Sequence, residues 1–251
     1  MTTTPASTSY RDQIRRCVRA MERGRAEDVR PFVDSSETIS RIQLFIGDNL
    51  NKRFDKVRDQ VELLARAFDN LDDLIEQYIQ EVPLAAYDTG CLDGDRFLNW
   101  LRESHTTTLE QQDFIRCQQA RHEIERLARR QRAAHLHFQD LHSLPANVDD
   151  GLRDTARSRV YLNPIHTWTT FQTTALLDED SDVPADVLFF AAGTQIRTTV
   201  FDDHGLQLIR LLESHPPLTM QDWKKLVPKT SRRKLTEFSR DAIELGLVAF
   251  G

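Results

Sequence analysis

The sequence predicts an α+β chain: a helical N-terminal part, then a smaller part that mixes strands with short helices. Three observations predict it. Apolar residues recur every three or four positions from Ile39 to Val57, the spacing of one helix face. After Pro145 the pattern changes to the alternation of β-favouring runs. Gly193 then parts two such runs, and three short amphipathic segments follow. With 251 residues the chain can bury a real core, and its length lies between one large domain and two ordinary ones.

Taken in order, residues 1–9 are rich in Thr and Ser and read as a flexible start. Tyr10 to about Arg25 predicts a short helix with Ile14, Val18 and Met21 on one stripe. The chain breaks around Pro31, and Ser35 or Ser36 is placed to cap a long helix carrying Ile39, Ile42, Leu44, Phe45, Leu50, Phe54 and Val57. Asn70 or Asp72 starts another helix that Pro83 ends, and DRFLNWLRES supplies Phe97, Leu98, Trp100 and Leu101. Thr108 opens a long helix reaching the Ala133–Ala134 pair. The helical domain therefore spans 10–145, a linker 146–159, and the second domain 160–251. Within the last, RVYLNPIHTWTTF alternates, and Gly193 signals a hairpin between Val187–Ala191 and Thr194–Phe201. Helices headed by Asp202 or Asp203, by Thr219 and by the SRRK run close the chain, with Gly246 suited to a C-terminal turn. Strands followed by three short helices make a winged-helix-like unit.

Composition narrows function only broadly. Charged residues are 29% and hydrophobic ones 39%, ordinary globular usage, and a net charge of −6 argues weakly against a nucleic-acid-coated surface. No run is apolar for eighteen residues and the start has no signal-like apolar stretch. Cys17, Cys91 and Cys117 are few, odd in number and widely spaced, which gives neither a disulfide framework nor a thiolate metal site. A cytoplasmic setting is the expectation. His135, His137, Asp140 and His142 cluster in sequence, but HExxH and CxxC are both missing, so surface or interface histidines are the stronger reading. The DEDSD run at 178–182 lacks the glycine and glutamate of a calcium loop, and Asp202, Asp203 and His204 have no nucleophile beside them. No catalytic or metal residue is assigned.

Both halves resemble the partner proteins of multinuclear non-haem iron oxygenases that modify ribosomally made peptides, a group once labelled DNA-binding. The resemblance runs through IQLFIGDNLNKRFDKVRDQVELL, DLIEQYIQEVPL and RFLNWLRE, then VYLNPIHTWTTF, VLFFAAGTQIRTTVF, GLQLIRLLESHPPLT and LTEFSRDAIELGLV, covering about residues 36–250. It implies a helical partner-docking domain joined to a small peptide-recognition domain. It also implies a role in peptide natural-product biosynthesis: holding a precursor peptide while the other subunit, which carries the iron, oxidises peptide cysteines. No cofactor is expected in this chain.

The mechanism inferred for the second domain is β-augmentation, in which a peptide pairs with a free strand and its alternate side chains enter a groove beside a helix. The candidate peptide-binding residues are Thr194, Gln195, Ile196, Arg197, Thr198, Thr199, Val200 and Phe201 on the strand, with Arg233, Lys234 and Arg240 on the last helix. Arg197 is placed to meet an acidic peptide residue and the helix cations to steer it, although charges here also serve as solvated faces. Ile196, Thr198 and Val200 are equally readable as core or strand-face residues. The alternative function is nucleic-acid binding by the winged helix, for which Lys224–Lys225 and the SRRK run supply charge.

Overall fold

A computed structural model describes residues 10–22, 25–33, 35–83, 90–144, 158–215, 217–228 and 232–251. The chain is mixed α+β. Its helices are α1 (Tyr10–Glu22), α2 (Ser36–Gln60), α3 (Leu71–Glu81), α4 (Asp93–Ser104), α5 (Leu109–Arg130), α6 (Arg132–His142), α7 (Asp203–Glu213), α8 (Met220–Leu226) and α9 (Arg232–Glu244). Its strands are β1 (Arg159–Leu162), β2 (His166–Phe171), β3 (Ala185–Ala192), β4 (Gln195–Val200), β5 (Leu218–Thr219) and β6 (Val248–Phe250). Among the described residues, no helix is long and apolar enough to cross a membrane.

Two compact units divide the chain, Met1–Gln111 and Gln112–Gly251. The division lies well before the expected linker, so α6 and nearly all of α5 group with the strands. Most of that linker, residues 146–157, and the expected flexible start lie outside the described residues.

In the first unit, the hydroxyl of Ser35 accepts the Thr38 amide at 3.4 Å and starts α2, as its position before the apolar stripe predicts. The helix runs through Gly47 without a break. Val57, Ile75, Tyr78, Phe97, Leu98 and Leu101 from α2, α3 and α4 form a buried core. Within it the rings of Tyr78, Phe97 and Trp100 lie 5.4–5.8 Å apart. Leu44 and Phe45, both read as stripe residues, stand exposed, and Ile46 is buried instead.

In the second unit, the long helix expected from Thr108 is interrupted at Gln131 and becomes α5 and α6. The fully buried carboxylate of Asp113 on α5 accepts the amides of Gln172 and Thr173 and the Thr173 hydroxyl at 2.7–3.0 Å. That anchors the loop after β2 to α5.

Two antiparallel three-stranded sheets follow, ordered β5-β1-β6 and β2-β3-β4. Asn163 lies between β1 and β2, where the chain changes sheets. Its buried side-chain amide donates to the carbonyls of Ala191 at 2.6 Å and Gly246 at 3.0 Å, and its oxygen accepts the Ile165 amide at 3.0 Å. Both faces of β3 are covered, a burial that its run VLFF matches. Leu188 and Phe190 face the core built with Leu208, Ile209, Trp223, Leu235 and Phe250. The opposite face carries Phe189, whose ring meets Phe171 edge-on at 6.2 Å.

Candidate functional site

The β3–β4 turn defines the most distinctive surface of the second unit. Gly193 has φ +63° and, among the described residues, no non-glycine residue has a positive φ, so Gly193–Thr194 is a two-residue turn of type II′. Such a turn makes Ala192 and Gln195 a hydrogen-bonded pair, and antiparallel alternation repeats it at Phe190–Arg197 and Leu188–Thr199. The backbone groups of Ile196, Thr198 and Val200 therefore point away from β3. The Ala191 amide supports this phase, because it turns the other way and donates to Ile165 at 3.0 Å. Among the described residues β4 is an outer strand, and no backbone group pairs with its outer edge.

The last helix touches β4 through two side chains. Arg197 donates to the Leu245 carbonyl at 3.2 Å, where α9 ends, and the Phe201 and Phe238 rings are 5.9 Å apart. A chain of rings continues on both sides, from Trp168 to Phe201 at 6.0 Å and from Phe238 to Trp223 at 6.2 Å. Strand and helix thus touch through the side chains of Arg197 and Phe201. A guanidinium at a helix C-terminus meets the unpaired carbonyls there. Arg197 remains exposed, so its other N–H groups are open to a ligand.

The remaining nominated residues separate by position. Thr194, Gln195, Thr198 and Val200 are exposed, and Ile196, Thr199 and Phe201 are partly covered. Ile196, Thr198 and Val200 thus belong to a strand face rather than to the core. Lys234 and Arg240 are exposed on α9, and the side chain of Arg233 lies outside the described residues.

Beside the start of β4 is a cavity of about 410 Å³, lined by Phe138 and His142 of α6, Ala191 to Gly193, Arg197, and Glu244 to Gly246. Nothing in the sequence marked α6 as part of this surface. The His142 ring donates from Nε2 to the Ile243 carbonyl at 2.7 Å, tying α6 to the end of α9. His137 meets the edge of Tyr161 at 6.1 Å, and His135 bonds to Gln139 at 3.2 Å, where burial lowers its pKa. These histidines, read above as surface or interface residues, make these contacts within the chain, and His137 is exposed. Among the described residues no group of three or more His, Cys, Asp or Glu is arranged to hold a metal ion.

One further feature escaped the sequence. Glu213 collects His166 at 3.1 Å, Arg210 at 3.0 Å and the Trp168 indole N–H, while Arg210 lies 4.2 Å over the Trp168 ring. The cluster fixes the N-terminal half of β2 against α7. Asp202 and Thr219 act as plain N-caps, accepting the amides of Gly205 at 2.7 Å and Asp222 at 3.1 Å. Asp222 has its pKa lowered by hydrogen bonds from Thr219 and Lys225.

Compared with known proteins, the chain has no match among family models, curated proteins or solved structures.

Proposed function

We propose that this chain is an accessory subunit: it binds a ribosomally made precursor peptide and presents it to a partner iron oxygenase for oxidative cysteine modification. The observation that carries the reading is the open edge of β4, a strand whose exposed Arg197 reaches the end of α9. A peptide laid along that edge gains main-chain hydrogen bonds from Ile196, Thr198 and Val200, and side chains at alternate positions turn toward α9. Arg197 favours an acidic residue there, with Lys234 and Arg240 adding long-range attraction.

The order helix, strand, helix, helix, strand from Asp203 to Phe250 supports a winged-helix-like reading of this part, with β1 supplying the middle strand from upstream. The chemistry belongs to the partner. Holding the peptide on this chain raises its effective concentration at the oxygenase without any reacting group from this chain.

The test uses the full chain with a non-haem iron oxygenase and a short cysteine-containing peptide, both taken from its gene neighbourhood where that holds them. Mass analysis is expected to find the peptide unchanged with this chain alone and oxidised at cysteine when all three are combined. Conversion by this chain alone, or full conversion without it, defeats the accessory role.

A second reading, nucleic-acid binding, is favoured by the exposed Lys224 on α8 and Lys234 on α9. Affinity for duplex DNA that falls steeply with salt and ignores changes in β4 would support it.

A further inference from the structure

We propose that the groove between α1 and α2 in the first unit is a second docking site, and that it receives an amphipathic helix with acidic flanks from another protein. The site is separate from β4 and does not depend on the peptide-presenting role.

The first observation is an apolar face left uncovered. Ile14, Val18 and Met21 repeat at helical spacing on α1, yet Ile14 is 45% and Val18 41% exposed. On α2, Leu44 is 70% and Phe45 56% exposed, and Phe45 faces the same cavity as Val18 and Met21. Single exposed apolar residues are ordinary; Val18 and Phe45 are both exposed and line one groove. Val18, Met21, Phe45 and Leu50 line a cavity of about 480 Å³, and Lys52 and Lys56 line it as well. An open trough with two helical walls suits a third helix, whose anchors would recur at the same three- and four-residue steps.

Charge selects the kind of helix. At the base of the groove, Arg53 and Asp93 bind each other through two contacts of 2.7 and 3.2 Å, so that pair adds no net charge. Lys52 and Lys56 form no ion pair among the described residues, although Asp48, Asp55 and Asp59 share their helix. On the other wall, α1 carries Arg11, Arg15, Arg16 and Arg19 against Asp12 and Glu22. A visiting helix with carboxylates along its flanks would neutralise Lys52 and Lys56 while its apolar face fills the trough.

The probe is a fluorescein-labelled designed helix with leucines at alternate three- and four-residue steps and glutamates on both flanks. Its twin carries lysines in place of the glutamates. Anisotropy with the full chain is expected to give at least about tenfold tighter binding of the acidic helix. Phe45→Ser should weaken that binding about tenfold, and the double change Lys52→Glu, Lys56→Glu should reverse the preference between the twins. All three positions are exposed, so the variants keep their fold, which circular dichroism checks.

Equal binding of both twins, or binding untouched by Phe45→Ser, overturns the proposal. So does concentration-dependent dimerisation abolished by Phe45→Ser in light scattering, because a second copy then fills the groove. Decanoate displacing the acidic helix at equal concentration overturns it in favour of a small amphiphile. Thr198→Pro in β4 should leave helix binding unchanged, which separates failure here from failure of the peptide edge.

Discussion

Arg53 ties α2 to α4 and to the end of α3 in the first unit. Its guanidinium is buried, binds both oxygens of Asp93, and donates to the Val82 carbonyl at 2.7 Å, while the Tyr78 hydroxyl donates to Asp93 at 2.6 Å. Removing one partner leaves a buried charge without compensation, so Arg53→Met is expected to cost about 3–5 kcal/mol in a denaturant titration. Nothing in the local sequence separates Arg53 from Lys52 beside it, because their difference comes from a carboxylate forty positions away.

Burial tends to raise the Asp93 pKa, but hydrogen bonds from Arg53 and Tyr78 and the charges of Arg53 and Arg96 outweigh it and leave a lowered value. The sign follows. A carboxylate lowered by folding contributes stability that is present above the ordinary value of 3.8 and is lost as pH falls toward its own lower one. Burial and Asp93 together push the Tyr78 pKa upward, so its contribution weakens as pH rises above 10.0. Urea midpoints measured from about pH 6 down to about pH 3 should fall in the parent and fall less in Asp93→Asn.

At the scale of elements, β4 is defined by its turn and by what it lacks. Gly193 could be read from the sequence because a tight hairpin needs a positive φ there. The caps at Ser35, Asp202 and Thr219 were equally readable, since a cap involves residues only three apart. The break at Gln131 was hidden, as the residues around it include no Gly or Pro to mark it. The exposed face at Leu44 and Phe45 was misread for a different reason: periodicity finds an apolar stripe without saying whether the chain itself covers it.

Thr198→Pro tests the role of β4. It removes an outward N–H and leaves the pairing with β3, and proline is tolerated on an outer strand. Peptide affinity should drop about tenfold, near one lost hydrogen bond with its geometry. Calorimetric titration reads this, and an unchanged affinity would move the peptide off this edge.

For the molecule as a whole, the α+β class and the order of helices and strands followed from periodicity, whereas the division at Gln111 did not. Asp113 explains part of that. A charged residue in a helix reads as surface, yet here it is buried and holds the loop after β2. The proposed division of labour gives the second unit an edge that recognises backbone, and the first unit a groove that recognises a helix.

Hydrogen exchange on the full chain, with and without the proposed cysteine-containing precursor peptide, tests the peptide edge most directly. The amides of Ile196, Thr198 and Val200 should exchange rapidly alone and slow at least about tenfold with peptide, while those of Gln195, Arg197 and Thr199 stay slow throughout. Peptide bound with those three amides unchanged, or slowing confined to α8 and α9, would contradict the account.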